Sequence, residues 1–173
     1  MEKYVALLRG INVGGHKKVP MAELKKQFEK LGFKNVKTIL ASGNVVFEGE
    51  ANNLNQIQSQ LEKTFGFTIP LIILPFQKIG EIVKSDSFRD LKVTPKTRLY
   101  VTFLADKLKS DLTIPYKTED GSFEIIRKSG NELFSVLDLE KTGTIDAMNI
   151  LEKEFGKNIT TRNYNTILKI VKL

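Results

Sequence analysis

The chain has 173 residues, 41% of them apolar and 27% charged, the proportions of a folded protein built as one ordinary domain or two small ones. With no Cys and a single His it can form no disulfide framework, thiolate nucleophile or multi-histidine metal centre, so we expect no metal and no cofactor. Its 27 basic against 20 acidic residues leave a net charge of +7, and no catalytic pattern accompanies that charge, so the sequence assigns no reaction.

In chain order, the first element is a strand from Tyr4 to Arg9. Its apolar run is too short for a signal-peptide core or a membrane span, which gives a cytoplasmic location as the expectation. Pro20 suits the first position of a helix. Met21, Leu24, Phe28 and Leu31 then recur at three- and four-residue spacing, and Gly32 ends the stripe in a left-handed cap. Val36 to Ala41 and Val45 to Phe47 flank Ser42-Gly43-Asn44, a turn in which Gly and Asn accept positive φ, so these runs pair as a hairpin. Asn53 is placed to cap a second helix carrying Leu54, Ile57, Leu61 and Phe65 and stopped by Gly66, after which Ile69 to Leu74 forms a fourth strand. The order β-α-β-β-α-β is the split βαβ, or ferredoxin-like, arrangement.

Phe76 to Phe88 reads as a linking helix, and a second series of elements comes after it. Arg98 to Leu104 is a strand, Asp106 to Leu112 a short helix, and Phe123 to Lys128 with Glu132 to Leu137 a hairpin. Ile145 to Phe155 is a helix, Ile159 to Thr161 a strand and Asn163 to Leu173 a closing helix. Three strings recur in order. Tyr4-Val5-x-x-Leu8 returns at Tyr100, Ser42-Gly43-Asn44-x-x-Phe47 at Ser129, and Leu61-Glu62-Lys63-x-Phe65-Gly66-x-x-Ile69 at Leu151, with offsets of 96, 87 and 90. The reading is an internal duplication: an α+β protein of two packed ferredoxin-like lobes with antiparallel sheets, residues 1–75 and 76–173, plus a C-terminal helix. Both faces of the first strand are apolar, so the sheet face not covered by its own helices must be buried as well.

Segments present in one copy only are not demanded by a shared fold. The largest is residues 10–19, with Gly10, Asn12, Gly14, Gly15, His16, Lys17 and Lys18, where about 2 to 6 residues would suffice to join a strand to a helix. Glycines let a backbone approach a ligand and present N–H groups, and with Arg9 and two lysines beside them the combination suits phosphate or carboxylate. In a split βαβ unit the loop after strand one and the turn after strand two leave the same end of the sheet, which makes Arg9, Asn12, Ser42, Gly43 and Asn44 neighbours. A second polar concentration surrounds Arg162, Asn163 and Asn165. Thr161 or Asn163 suits a helix cap there, and a tail helix returning to the first lobe would bring Arg162, Tyr164 and Asn165 to a site between lobes.

Leu7-Leu8-Arg9-Gly10-Ile11-Asn12-Val13-Gly14-Gly15, Val19-Pro20-Met21-x-x-Leu24, Ser42-Gly43-Asn44-Val45-Val46-Phe47 and Thr161-Arg162-Asn163-Tyr164-Asn165-Thr166 resemble the signature of the bacterial domain-of-unknown-function family 1697. Tyr164 stands where that pattern usually has Trp. The resemblance implies paired ferredoxin-like lobes in a cytoplasmic bacterial protein and no assigned activity. Its motif falls on the positions the loop argument selects: Arg9, Gly10, Asn12, Gly14, Gly15, Ser42, Gly43, Asn44, Arg162, Asn163 and Asn165.

Binding of a small anionic ligand, a phosphate, nucleotide or carboxylate, at the loop edge of the first lobe is therefore the leading expectation. RNA or DNA binding is the alternative, motivated by the charge. It is weakened by an even spread, with 10 basic against 6 acidic residues in 1–75 and 17 against 14 in 76–173, and by the lack of an aromatic stacking motif. A protein-partner module is the third reading. The sequence does not set the oligomeric state.

Overall fold

The structure, a computed structural model, describes residues 1–106 and 112–173, and it divides into two units, residues 1–84 with 169–173 and residues 85–168. The first unit contains β1 (Glu2–Leu8), α1 (Met21–Lys30), β2 (Lys34–Ile39), β3 (Asn44–Gly49), α2 (Gln56–Phe65), β4 (Leu71–Pro75) and α3 (Phe76–Lys84). Its sheet has the order β2-β3-β1-β4, with every neighbouring pair antiparallel. Since β1 and β2 both oppose β3, they run the same way, and the loop after β1 and the turn after β2 emerge at one end.

The helices follow from their apolar stripes. Leu24 and Phe28 of α1 and Ile57 and Leu61 of α2 are buried with Tyr4, Ala6, Leu8, Val45 and Phe47 in one core. Burying a side chain of this size contributes about 1.5–3 kcal/mol relative to leaving it exposed. Phe28, Phe33 and Phe47 interlock there, with ring centroids 4.8 to 6.0 Å apart. The opposite sheet face is buried too, at Val5, Leu7 and Val46. α3 returns beside β1 and β4, and the Lys3 ammonium lies 4.1 Å from the centre of the Phe76 ring.

Three local expectations need correction. Asn53 does not cap α2. It lies inside a 3₁₀ turn over Ala51–Asn53, whose amide bonds already engage the local backbone, and the helix starts after Asn55. Pro20 stands one residue before the helix proper, at the N-cap. The linking helix stops at Lys84, because the chain turns through Asp86 at φ +45. Gly32 (φ +87) and Gly66 (φ +78) adopt the left-handed conformation expected after α1 and α2.

The second unit contains β5 (Thr97–Leu104), the short β6 (Tyr116–Lys117), β7 (Phe123–Ser129), β8 (Glu132–Asp138), α4 (Thr144–Phe155) and β9 (Ile159–Asn163). The final helix is α5 (Tyr164–Ile170), whose last two residues are counted with the first unit. The sheet order is β6-β7-β8-β5-β9, again antiparallel throughout. Ala147 and Leu151 of α4 close a core over Tyr100, Leu104, Phe123, Ile125, Leu133 and Leu137. β9 runs two residues further than its pattern suggests, because Arg162 and Asn163 pair with Val101 and Tyr100. The helix expected over Asp106 to Leu112 falls mostly on residues 107–111, outside the described residues. Among the described residues no helix is long and apolar enough to cross a membrane.

Candidate functional site

Two backbone bonds tie down the end of β1: Leu8 N–H donates to the Gly43 carbonyl (2.8 Å) and Arg9 N–H to the Pro70 carbonyl (2.8 Å). Gly10, at φ +68, then turns the chain away from the sheet. Ile11 is buried above Gly43, where a Cβ would come 2.7 Å from Ile11 Cδ1 and 2.8 Å from Leu8 Cβ. Gly43 itself has φ +79, so both space and backbone conformation demand glycine there.

Beyond Ile11 the loop is a small hairpin of its own. Val13 bridges His16, His16 N–H donates to the Val13 carbonyl (3.1 Å), and Asn12 N–H donates to the Lys17 carbonyl (3.1 Å). Gly14 and Gly15 at its tip have φ +59 and +79, the two positive values of a two-residue I′ turn. Asn12 clamps this hairpin to the body. Its Nδ2 donates to the carbonyls of Val19 (3.0 Å) and Ala41 (2.8 Å), and its Oδ1 accepts from Val19 N–H (2.8 Å).

The candidate residues of the first unit thus come together and divide by role. Asn12, Ser42, Gly43 and Asn44 build the corner. Asn44 is buried, and its Nδ2 donates to the Ile39 carbonyl (2.7 Å) and to Ser42 Oγ (3.1 Å). Gly14, Gly15, His16, Lys17 and Lys18 are exposed, and Arg9 is half-buried at the hairpin's root. The Gly14 and Gly15 amides meet no acceptor among the described residues. Residues 3–22 contain no carboxylate, so the segment's own charge is cationic, and the Lys17 ammonium reaches 5.8 Å from the centre of the Phe67 ring.

Arg162, Asn163 and Asn165 belong to the second unit. Arg162 is buried, its Nη1 donating to Thr160 Oγ1 (2.8 Å) and the Thr161 carbonyl (3.0 Å), and burial lowers its pKa to about 10. Asn163 Oδ1 accepts from Asn165 N–H (2.9 Å), the bond of a helix cap at the start of α5. The Tyr164 ring packs 4.9 Å from Phe88, and burial, helped by the charge of Asp86, raises its pKa. Sequence reasoning did not find the exposed Leu40 in the left-handed region (φ +58), nor the clamping role of Asn12. The Gly-Gly pair was the available signal for the hairpin. Among the described residues no cluster of His, Asp or Glu is arranged to hold a metal ion.

Fold and site together define a two-unit α+β protein with a clamped, cationic glycine hairpin at one sheet end. The chain belongs to the family described as protein of unknown function (DUF1697), which it matches over residues 1–134. Among solved structures it is similar to the conserved bacterial protein SP0830 from Streptococcus pneumoniae, at 22% identity and a TM-score of 0.71. The match covers 99% of this chain and 97% of that one, and the likeness is one of fold. No curated protein matches the chain.

Proposed function

We propose that the chain binds a small anion bearing phosphate or carboxylate oxygens, nucleotides included, at the end of β1. The Gly14 and Gly15 amides, Lys17 and Lys18 form the site, with Arg9 at its root. The observation that carries this reading is a clamped hairpin with two exposed glycine amides and two exposed lysines, in a stretch, residues 3–22, that contains no carboxylate. Asn12, Ser42 and Asn44 serve as scaffold, and the reading is one of binding that assigns no reaction. We read the two units as copies of one fold, on the recurring strings and the matching strand orders, and we place the protein in the cytoplasm on its composition.

Thermal denaturation with and without inorganic phosphate, at ionic strength fixed with chloride, tests the site. Wild type should gain stability as phosphate rises, about 2.7 kcal/mol at a hundredfold excess over Kd. Arg9→Ala and the pair Lys17→Ala with Lys18→Ala should lose that gain, while the stability of the exposed lysine pair variant without phosphate stays within about 0.5 kcal/mol of wild type. Equal gains in wild type and variants, or none in wild type, would refute the reading.

A further inference from the structure

Lys3 alternates with Val5 and Leu7 on the sheet face opposite the core beneath α1 and α2, and two recesses adjoin it. The larger, about 620 Å³, is lined by Lys3, Phe76, Gln77 and Lys78 together with Glu2 and Glu81. The smaller, about 230 Å³, is lined by Lys3, Lys37, Asn35 and Glu48, with Leu173 at its side. Sites for small ligands commonly enclose about 300–1,000 Å³, a range that includes the larger recess.

The charges around the two recesses are unevenly committed. Every lining side-chain carboxylate already has a donor. Glu2 accepts from the Tyr4 hydroxyl (2.6 Å), Glu48 from Asn35 Nδ2 (2.8 Å), and Glu81 from Gln77 Nε2 (3.2 Å) while facing the Lys78 ammonium at 3.7 Å. Lys3 and Lys37 form no ion pair with any described residue. The Lys3 ammonium rests instead over the Phe76 ring, a weaker attachment than a charge-assisted bond to an anion. The wall shared by both recesses therefore carries the Phe76 ring with the Lys3 ammonium over it, and beyond it Lys37 in no ion pair, beside the charged Glu48 that stands opposite Lys3 across the strands.

We propose that these adjoining recesses form a second ligand site, which takes a mononucleotide: a flat heteroaromatic ring against Phe76 in the larger recess and a phosphate between Lys3 and Lys37. On binding, the Lys3 ammonium passes from the ring face to the phosphate, and the base takes the face it leaves. The site stands at the start of β1, a strand length of roughly 20 Å from the glycine hairpin at its end, and it does not rest on the hairpin's function.

Titration with adenosine 5′-monophosphate, followed by calorimetry, tests it against its two halves, adenosine and inorganic phosphate. The monophosphate should bind at least about tenfold more tightly than either half, and Lys3→Gln and Phe76→Leu should each weaken it by about tenfold. Phe76→Tyr, which keeps the ring, should retain affinity, and in an Arg9→Ala background, which takes away the hairpin's share of nucleotide binding, the monophosphate should still bind and Lys3→Gln should still weaken it. The proposal is overturned if the monophosphate binds no better than its halves, or if Phe76→Leu binds as wild type does while still folded. It is also overturned if Arg9→Ala abolishes binding and Lys3→Gln preserves it, a result that would put the nucleotide at the hairpin and leave the first reading standing.

Discussion

The ends of β1 and β5 are fastened in the same way. Leu8 N–H bonds the Gly43 carbonyl and Arg9 N–H the Pro70 carbonyl; Leu104 N–H bonds the Asn131 carbonyl (2.9 Å) and Ala105 N–H the Asn158 carbonyl (2.9 Å). In each unit the central strand is pinned to the hairpin turn on one side and to the residue leading into the last strand on the other. Past these bonds the two units diverge. The first unit adds the clamped cationic hairpin, whereas the second continues to Asp106, whose carboxylate accepts from Asn158 Nδ2 (3.2 Å). The frame needs only amides and carbonyls, so Gly14, Gly15, Lys17 and Lys18 are additions to it, and the turn glycine has become crowded in one unit alone.

That crowding gives the largest expected difference. Gly43→Ala must adopt an unfavourable φ and also displace Ile11 or Leu8, at a cost of about 2–4 kcal/mol. Gly130 has positive φ (+59), but a Cβ there would meet only the end of the Glu132 side chain at 3.4 Å. Gly130→Ala should therefore cost only about 1–2 kcal/mol. Denaturant midpoints of the two variants check this, and equal losses would break the contrast.

The asparagines of the two turns come next. Asn44 is buried and bonded, so Asn44→Ala leaves the Ile39 carbonyl without its side-chain donor and should cost about 1–3 kcal/mol. Asn131 is exposed and contributes its backbone carbonyl, which alanine keeps, so Asn131→Ala should fall within about 0.5 kcal/mol of wild type. Thermal melts of both variants decide the point.

Acid sharpens the comparison least. In the second unit Asp120 accepts from Ser122 N–H, Ser122 Oγ and Thr118 Oγ1, bonds that hold its pKa at about 2, below the ordinary 3.8. A carboxylate with a depressed folded pKa stabilises above its unfolded value, and that stabilisation is lost as pH falls from near 4 toward 2. Asp120→Asn should therefore lower Tm slightly at neutral pH, with the gap to wild type closing near pH 2. A gap that stays constant with pH would show that the charge plays no part.

The first sheet and its helices were legible because their signals are local. Leu24 and Phe28 mark a stripe, Gly32 and Gly66 mark helix ends, and Ser42-Gly43-Asn44 marks a turn, each within a few residues of the element it shapes. The convergence of the loop after β1 with that turn was legible from topology. The Asn12 clamp was not, since Asn12 reaches Ala41 across 29 residues and no local pattern encodes that bond. Asn53 looked like a cap by type, but a 3₁₀ turn won the local competition for its backbone. The two residues of β6 are too few to show a period, and the left-handed Leu40 follows from the connection between β2 and β3 rather than from any preference of leucine. Lys3 and Phe76 lie far apart in the chain, and only the fold sets one above the other.

Anion binding at the hairpin is best decided by amide chemical-shift mapping of the intact chain during titration with inorganic phosphate at constant ionic strength. Saturable shifts should concentrate at Gly14, Gly15, His16, Lys17 and Lys18 and be absent from the Ser129-Gly130-Asn131 turn. Shifts of equal size at both turns, or none at the hairpin while phosphate rises, would refute a phosphate site there.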